Sequence, residues 1–402
     1  MGRSLLVAAV AGACGAAAAL GIGAAAGWIG SGETVRSVTT TKIVPIQAGQ
    51  GVQAGQTILG TARSGFDPAA VYEQRSPGVV TIYAYFGAAG DTRGSTQGSG
   101  FVVSEDGHIL TNAHVITNVG DGKPVRGARR LYVEFQDLDR VPAEIVGWDL
   151  FNDVGVIRID PRAHALAPLP LGNSALVAVG EPVAAIGSPF GNQNSLAVGV
   201  VSATGRSIPS LTSGYAIADA IQIDAPINHG NSGGPLLEAR GSAIGINAQI
   251  NSTSGEAEGV GFAVPINSAR RSLEQLISTG RVAYAYVGVR TEDVTPGLAR
   301  RFGFSAERGA LISEVRPGGP AEAAGLRGGS RRVLFNGLTV TVGGDLVVAI
   351  GGVPVGSAED LVRLVAERHL PGQTVAFTIL RGGTKRASVD VTFAERRADP
   401  EP

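Results

Sequence analysis

The sequence of 402 residues has a single cysteine, Cys14, so no disulfide can form within the chain. Cys14 lies in an apolar N-terminal stretch. A lone cysteine does not indicate whether the surrounding compartment is oxidising or reducing. The sequence therefore excludes a fold that depends on disulfides.

An excess of charge of either sign is also absent. The chain has 33 Lys and Arg residues against 34 Asp and Glu residues, a formal net charge of −1. Arginine pairs such as 129–130, 270–271 and 300–301 are scattered, which is typical of solvated faces and helix ends. A nucleic-acid-binding surface would need a basic patch or stripe. We therefore predict no nucleic-acid partner.

Clustered metal ligands are missing from the sequence as well. His108, His164, His229 and His369 show no ligand spacing, and the chain has no His-Glu-x-x-His motif. His229 adjoins the serine motif described below, where a solvent-facing loop position and an electrostatic role both stay open. We predict no metal site and no cofactor.

Glycine, by contrast, is abundant: it supplies 59 of the 402 residues, about twice its usual share. Many of these glycines punctuate short runs of β-branched and other apolar residues, which is typical of mainly β proteins. The length favours two folded domains with an additional segment.

The most informative glycines surround a serine in the stretch Gly-Asn-Ser-Gly-Gly-Pro, residues 230–235. Ser232 can sit on a tight turn with its hydroxyl accessible, because its neighbours have almost no side chain. The N–H groups of Gly230 and Ser232 can then converge on a developing oxyanion. A hydroxyl is a poor nucleophile without a base beside it, so the motif predicts a histidine and a carboxylate elsewhere.

Both groups occur upstream of the serine. Thr-Asn-Ala-His supplies His114 after a strand-like segment, and Phe-Asn-Asp-Val supplies Asp153 before an apolar β run that would bury its carboxylate. The order His114, Asp153, Ser232 is that of the chymotrypsin-type proteases. Each residue alone could be structural, but together they predict the catalytic triad of a serine protease.

Four longer stretches make the resemblance more specific. They are Gly-Ser-Gly-Phe-Val-Val (98–103), Thr-Asn-Ala-His-Val (111–115), Ala-Pro-Ile-Asn-His-Gly-Asn-Ser-Gly-Gly-Pro (225–235) and Gly-Val-Gly-Phe-Ala-Val-Pro (259–265). With them the sequence resembles the HtrA/Deg family, ATP-independent proteases in which a trypsin-like domain precedes one or more PDZ domains. The resemblance implies a triad of His114, Asp153 and Ser232, with Gly230 in the oxyanion hole. It also implies a homotrimer that acts in protein quality control.

The specificity pocket is predicted to be small and apolar. The position six residues before the nucleophile holds an aspartate in enzymes that cut after Lys or Arg, and here it is Pro226. Ile227, and Ile250 by resemblance to the family's pocket wall, would line the pocket. We expect cleavage of unfolded proteins after small apolar residues.

Strand-like runs between residues 79 and 264 fall into two series of six. They predict two small β-barrels with the triad in the crevice between them. Three glycine-rich segments beside the site are expected to be flexible loops that switch between inactive and active arrangements: 187–196, 205–219 and 247–258. A helix over residues 267–280, capped by Asn267 and ended by Gly280, should close this domain, predicted over residues 66–281.

The N-terminal residues 1–30 are predicted to be a membrane anchor or a signal segment. Residues 5–30 carry no charge and would extend about 39 Å as a helix, against a hydrocarbon core of about 30 Å. Of these 26 residues, 17 are Ala or Gly. A single-pass anchor with Arg3 in the cytoplasm, a cleaved signal peptide and a lipoprotein modified at Cys14 all stay open. Each would export the rest of the chain, to the outer face of the membrane or, after cleavage, to the periplasm or beyond.

Residues 31–65 are rich in Thr, Gln and Gly without periodicity, which indicates a flexible linker. Folded structure is expected to begin near Asp67, as the N-cap of a helix with Pro68 at its first position.

The C-terminal part, residues 282–395, resembles a PDZ domain, an α+β fold, followed by a disordered tail over 396–402. A helix over 358–368 would form one wall of the peptide groove, and a hairpin over 333–340 around an Asn-Gly turn would be an insertion. The residues that resemble the carboxylate-binding loop, where backbone N–H groups hold a peptide C-terminus, are Tyr286, Val287, Gly288 and Val289.

Three functions from different classes follow. The first is an exported serine endopeptidase whose PDZ domain binds peptide C-termini. The second is a catalytically silent peptide-binding chaperone, and the third is a membrane-tethered adaptor. The intact triad favours the first.

Overall fold

The computed structural model describes residues 65–88, 94–119, 124–188, 194–210, 212–213, 216–228, 230–248 and 260–396. Its helices are α1 (Pro68–Arg75), α2 (Ala113–Ile116), α3 (Ile266–Thr279), α4 (Pro296–Phe302), α5 (Pro320–Ala323) and α6 (Ala358–Arg368). The strands before α3 are β1 (Val79–Tyr85), β2 (Ser95–Val102), β3 (His108–Thr111), β4 (Arg130–Glu134), β5 (Arg140–Asp149), β6 (Val154–Ile159), β7 (Pro182–Gly187), β8 (Ser195–Pro209), β9 (Ala216–Ile223), β10 (Pro235–Leu237), β11 (Ala243–Ala248) and β12 (Gly261–Pro265). Those after α3 are β13 (Ala285–Tyr286), β14 (Val289–Val294), β15 (Gly309–Val315), β16 (Arg331–Phe335), β17 (Leu338–Val342), β18 (Leu346–Ile350), β19 (Val353–Pro354), β20 (Thr374–Arg381), β21 (Lys385–Thr392) and β22 (Ala394–Glu395).

The first six strands close into a barrel in the order β1-β2-β3-β6-β5-β4. Apolar side chains from several strands fill its interior, and Ile82, Val133 and Ile157 are fully buried there. Because successive side chains of a strand point to opposite faces, one face of each strand can fill a small barrel while the other covers it. The first predicted barrel is confirmed.

Strands β7 to β12 close into a second barrel, in the order β10-β11-β12-β9-β8-β7. Its core contains Val183, Ile221 and Leu236, each at most 2% exposed. The fold of this part of the chain is therefore the predicted chymotrypsin-like pair of six-stranded barrels.

The hairpin of β8 and β9 is longer than the sequence indicates. Strand β8 continues to Pro209 and β9 begins at Ala216, with Ile208 paired to Ile217. The prediction that residues 205–219 form a flexible loop was therefore wrong for 205–209 and 216–219, which belong to these strands. The register of this pair shifts three times between Val201 and Ile208. After Val201, Ile208 is the only large apolar side chain of β8, so few apolar residues mark this part of the strand in the sequence.

Helix α3 follows the second barrel, as predicted, and ends at Gly280, which has φ +73° and donates its N–H to the Leu276 carbonyl. Its N-cap, however, is Pro265 and not Asn267. The Asn267 amide instead donates to Asn173 Oδ1 at 2.8 Å, so a contact distant in sequence takes up the side chain that would have capped the helix.

The C-terminal domain is built on a sheet in the order β14-β15-β18-β20-β21, with α6 over residues 358–368 as predicted. The predicted Asn-Gly hairpin forms from β16 and β17, with positive φ at Asn336 (+50°) and Gly337 (+83°). Its inner face packs Val340 and Val342 against helix α4, while Leu334 on the outer face is 78% exposed.

A short connection joins the two parts of the chain after α3. Strand β13 pairs with β22, the last strand described, so Ala285 lies opposite Glu395.

At the other end of the described structure, Asp67 caps α1 with Pro68 at its start, as predicted. Within the ranges given above, no helix is both long and apolar enough to span a membrane. The predicted N-terminal anchor, most of the linker and most of the C-terminal tail lie outside the described residues, and the predicted domain boundaries stay predictions.

Candidate active site

His114 lies in the short helix α2, directly after strand β3 of the first barrel. Thr111 and Asn112, which lead into that helix, are fully buried. Asn112 Nδ2 donates to the carbonyl of Asp153 at 2.8 Å, and the Ala113 N–H donates to the same oxygen at 3.2 Å. The segment that carries His114 is therefore attached to the backbone of Asp153, in addition to the contact between the two side chains described next.

Asp153 ends the turn between β5 and β6 and is 1% exposed. Its Oδ2 lies 2.7 Å from His114 Nδ1, and its Oδ1 accepts from the His114 N–H at 3.0 Å. Because a carboxylate accepts hydrogen bonds, Nδ1 carries the proton and Nε2 is left to accept one. The backbone of Asp153 is left-handed, with φ +53°, a conformation that a non-glycine residue holds only when its surroundings impose it.

The pKa of His114 reflects two opposing effects. Burial lowers it, but the charge of Asp153 and the hydrogen bond to its carboxylate raise it more, so the pKa lies above its ordinary value of 6.5. Asp153 therefore both selects the tautomer of the imidazole and stabilises its protonated form.

Ser232 occupies the turn before β10 of the second barrel and is 4% exposed. Its carbonyl accepts from the Ser99 N–H at 2.8 Å. Its Oγ makes no hydrogen bond to any residue that the structure describes. Gly233, the next residue, has φ +88°, and a Cβ there would lie 2.1 Å from the Ser99 carbonyl oxygen. Only glycine lets the turn approach the first barrel this closely.

Gly230 has a left-handed backbone with φ +101°. Its carbonyl accepts from Ser99 Oγ at 2.5 Å, and the Asn231 N–H donates to the Asn228 carbonyl at 3.0 Å. The N–H groups of Gly230 and Ser232 donate to no residue within the described ranges. The two donors of the predicted oxyanion hole are thus not engaged by any residue that the structure describes.

Strand β2 brings the two halves of the site together. A Cβ on Gly98 would lie 2.6 Å from a methyl of Val115, the residue after His114, and 3.2 Å from the Ser232 carbonyl oxygen. Gly98 therefore faces the histidine segment and the serine turn at once, and its missing side chain allows both to approach β2.

Of the predicted specificity residues, the structure describes Pro226 and Ile227. Pro226 is exposed, whereas Ile227 is 7% exposed and belongs to the core of the second barrel, where it packs against Gly261. Ile250 lies outside the described residues, as does His229. The apolar pocket stays a prediction.

The predicted carboxylate-binding loop follows β13. Gly288 has φ +80°, its carbonyl accepts from the Arg316 N–H at 2.9 Å, and the Val287 carbonyl accepts from the Ala321 N–H at 2.9 Å. The N–H groups of Val287 and Gly288 make no hydrogen bond to another described residue. Tyr286 and Val289 flank this pair on strands β13 and β14. The loop therefore presents, beside the edge strand β14, two backbone donors that no other described residue engages.

Two residues that hold the site together were not predicted from the sequence. Ser99 contacts Gly230 through its side chain and Ser232 through its backbone. Asp149 is buried at the other end of the turn that carries Asp153. Asp149, four residues before Asp153, was visible in the sequence, but the side chains of Ser272 and Tyr284 that bind it are more than 100 residues away.

Comparison with protein-family models matches residues 98–246 to a trypsin-like peptidase domain and residues 285–392 to a PDZ domain. Among curated proteins, the chain is 39% identical over 297 residues to Protease Do-like 1, chloroplastic, from Arabidopsis thaliana, covering 74% of this chain and 63% of that protein. It is 38% identical over 310 residues to the probable periplasmic serine endoprotease DegP-like of Hahella chejuensis, covering 77% of this chain and 59% of that protein. The chain thus spans about 60% of the length of these relatives.

Among solved structures, the HtrA-type protease AlgW with a tripeptide matches with a TM-score of 0.67 and 31% identity. The match covers 84% of this chain and 98% of that one. The serine endoprotease from Yersinia pestis matches with a TM-score of 0.56 and 29% identity, over 82% of this chain and 98% of that one. The likeness thus includes both the double barrel and the domain that follows it.

Proposed function

This chain belongs to the HtrA/Deg family of serine proteases, and from that premise we propose that it is a serine endopeptidase with His114, Asp153 and Ser232 as its catalytic triad. The observation that supports it most directly is the His114–Asp153 pair, with Nδ1 2.7 Å from the buried carboxylate, together with a serine hydroxyl that has no partner among the described residues.

The proposed reaction proceeds through an acyl-enzyme. Ser232 Oγ attacks the scissile carbonyl carbon while His114 Nε2 takes the hydroxyl proton and passes it to the leaving amine. The N–H groups of Gly230 and Ser232 would bind the oxyanion of the tetrahedral intermediate. Water then attacks the acyl-enzyme with His114 again as the base, which releases the new carboxylate and restores the Ser232 hydroxyl. Asp153 orients His114 and stabilises its protonated form.

A fluorophosphonate probe tests the activated serine, because it reacts with a serine only when a base removes the hydroxyl proton. We expect labelling of the wild-type chain and none of Ser232→Ala. Ser278→Ala is the matched control, since Ser278 is an exposed serine whose hydroxyl bonds only to its own helix. Absence of labelling of the wild type, with unfolded substrate present, would instead favour the chaperone or the adaptor. A chelator should leave labelling unchanged, because the proposed chemistry uses no metal ion.

We propose that the substrates are unfolded or damaged proteins, cut after small apolar residues such as Val, Ala and Ile. The support is Pro226, which puts no charge at the position that holds an aspartate in enzymes cutting after Lys or Arg, and the apolar side chain of Ile227 next to it. Ile250 is proposed as a further wall of the pocket. Peptide mapping of a digested denatured protein tests this, and cuts mainly after Lys or Arg would contradict it.

Location and assembly are further parts of the proposal. Several relatives are named as periplasmic proteases, which favours an exported protein released by signal cleavage, with a single-pass anchor over residues 1–30 as the alternative. Alkaline extraction of membranes separates these cases, because only an anchored chain stays in the pellet.

We also propose that the chain forms a homotrimer, which sedimentation of the purified chain would test. We further propose that its PDZ domain, over residues 282–395, binds peptide C-termini.

A further inference from the structure

The proposed mechanism does not use Asp149, although this carboxylate is 2% exposed and lies in the turn that carries Asp153. Its Oδ1 accepts from the backbone N–H groups of Phe151, at 2.9 Å, and Asn152, at 3.4 Å. Its Oδ2 accepts from Ser272 Oγ at 2.7 Å. Burying a carboxylate is costly, and these hydrogen bonds offset part of that cost.

A third group donates to Asp149: the hydroxyl of Tyr284, which also bonds to Oδ2. Tyr284 does not belong to the barrel that carries Asp149, because it lies in the connection after helix α3, one residue before strand β13. It is 3% exposed, and its ring packs edge-on against Phe151 with centroids 5.2 Å apart. The same hydroxyl accepts from Asn152 Nδ2 at 2.7 Å. One side chain of the connection thus contacts three of the four residues that precede Asp153.

The backbone of Tyr284 is held as firmly as its side chain. Its carbonyl accepts from the Arg396 N–H at 2.9 Å, next to the pairing of β13 with β22. The guanidinium of Arg271, on helix α3, lies 5.3 Å from the centre of its ring. Tyr284 therefore joins the last strand of the C-terminal domain to the turn that ends in the catalytic carboxylate.

Asp153 needs such support from outside its own turn. Its left-handed backbone is unfavourable for an aspartate and persists only when its surroundings impose it. The turn is too short to absorb a shift of Asp149 without moving Asp153, since only three residues separate them. A displacement of about 1 Å in a catalytic group can lower a rate about 100-fold.

We propose that Tyr284 is a positioning residue which, through Asp149 and Asn152, holds the Asp153 carboxylate in the orientation that His114 requires. The inference rests on the proposed function, because it assigns Asp153 the role of orienting His114. Tyr284 directly precedes β13, which pairs with the last described strand, β22. The orientation of Asp153 therefore also depends on how the C-terminal domain is attached.

The test is Tyr284→Phe in the full chain, which keeps the ring and removes the hydroxyl from Asp149 and Asn152. We expect kcat on a reporter peptide to fall between about 10- and 100-fold while KM changes less than twofold, because substrate binding does not involve the turn. The acid limb of the pH profile should move to lower pH as His114 loses part of its interaction with Asp153. Tyr83→Phe is the matched control. Tyr83 lies on strand β1 of the same barrel, and the change removes a tyrosine hydroxyl that donates to Glu134 at 3.4 Å.

A second experiment separates positioning from a general loss of stability. If Tyr284 acts through Asp153, then Tyr284→Phe should not lower further the labelling rate of an Asp153→Asn chain, because the effects of coupled residues are not additive. Ser272→Ala removes the other hydroxyl donor to Asp149 Oδ2 and should lower kcat in the same direction, which keeps the test available should Tyr284→Phe not fold. A folded Tyr284→Phe or Ser272→Ala chain with the wild-type kcat and acid limb would overturn the inference.

A spectroscopic measurement distinguishes this inference from the proposed function itself. The proton of His114 Nδ1 in its hydrogen bond to Asp153 gives a low-field NMR resonance whether or not Ser232 is reactive. We expect Tyr284→Phe to shift or broaden it, whereas Tyr83→Phe should leave it in place. If the wild-type chain is not labelled by the fluorophosphonate but Tyr284→Phe shifts this resonance, the proposed enzyme is rejected and the positioning role is kept. If Tyr284→Phe leaves the resonance unchanged, only the positioning role is rejected.

Discussion

In the first barrel, His114 and Asp153 are bonded to each other through both side chain and backbone, whereas in the second barrel the Ser232 hydroxyl and the N–H groups of Gly230 and Ser232 have no partner among the described residues. In the proposed mechanism, the protein's own hydrogen bonds thus hold the acid–base half of the site. The proposed nucleophile half leaves one hydroxyl and two N–H donors that no described residue engages.

The two halves also depend on different properties of the chain. The first relies on a buried charge and directed hydrogen bonds, so changes of charge should damage it most. The second relies on glycines with positive φ at 230 and 233, which bring the turn close to Ser99 without side chains in the way. Changes of backbone freedom should therefore damage it most.

The largest effect that would sharpen this comparison is expected from Asp153→Asn. The amide keeps the shape of the carboxylate but can favour the wrong tautomer of His114, and it removes the charge that stabilises the imidazolium. We expect turnover to fall by about 10⁴ with the fold retained, as it does on the corresponding change in a chymotrypsin-type enzyme. Steady-state kinetics with circular dichroism checks this; a loss below about tenfold would mean that Asp153 does not orient the base.

A smaller effect is expected in the second half from Gly230→Ala. A Cβ disfavours the φ of +101°, so the N–H that should bind the oxyanion would turn away. Loss of one such donor lowers kcat about 10²- to 10³-fold. Gly180→Ala is the matched control, because Gly180 has φ +89° with open space where a Cβ would lie, so it carries similar backbone strain away from the site. Equal losses in both variants would show that strain alone, and not the oxyanion donor, is responsible.

The third prediction asks whether a ligand of the C-terminal domain changes the activity of the half of the site that contains Ser232. A peptide with a free apolar C-terminus should raise turnover of a reporter peptide several-fold, if it binds the N–H groups of Val287 and Gly288 more tightly in the active arrangement. The same peptide with an amidated C-terminus is the control, because it lacks the carboxylate. Equal turnover with both peptides would restrict the PDZ domain to holding substrate.

The smallest effect concerns the pH dependence of the first half. Only neutral His114 can accept the Ser232 proton, and its pKa is raised, so kcat/KM should be lost as pH falls through a value above 6.5. The stabilisation that the His114–Asp153 pair gives the fold has the opposite pH dependence. It is complete below the pKa of His114 in the unfolded chain and is lost as pH rises through the pKa of His114 in the folded chain. Activity and unfolding temperature measured from pH 5 to 9 should therefore change in opposite directions in this window. An acid limb centred below 6.5 would contradict the assignment.

Much of the fold could be predicted because its signals are local. Helix α6 has the predicted ends, Ala358 and Arg368, since an amphipathic run follows the capping serine at 357. The Asn336–Gly337 turn was visible because few other residues adopt its left-handed backbone. The errors fell where distant contacts prevailed, as at Asn267, whose side chain bonds to Asn173 instead of capping its helix.

The sequence by itself determined the class of chemistry, because a serine among glycines, a histidine and an aspartate in this order are encoded in short motifs that keep their meaning without the rest of the chain. The tertiary structure alone decided how those groups are held. Ser99 lies 131 residues from the Gly230 carbonyl that it binds, and Tyr284 lies 135 residues from Asp149. Such pairs follow from the closure of the barrels and the path of the chain after α3, and no periodicity or spacing along the sequence records them.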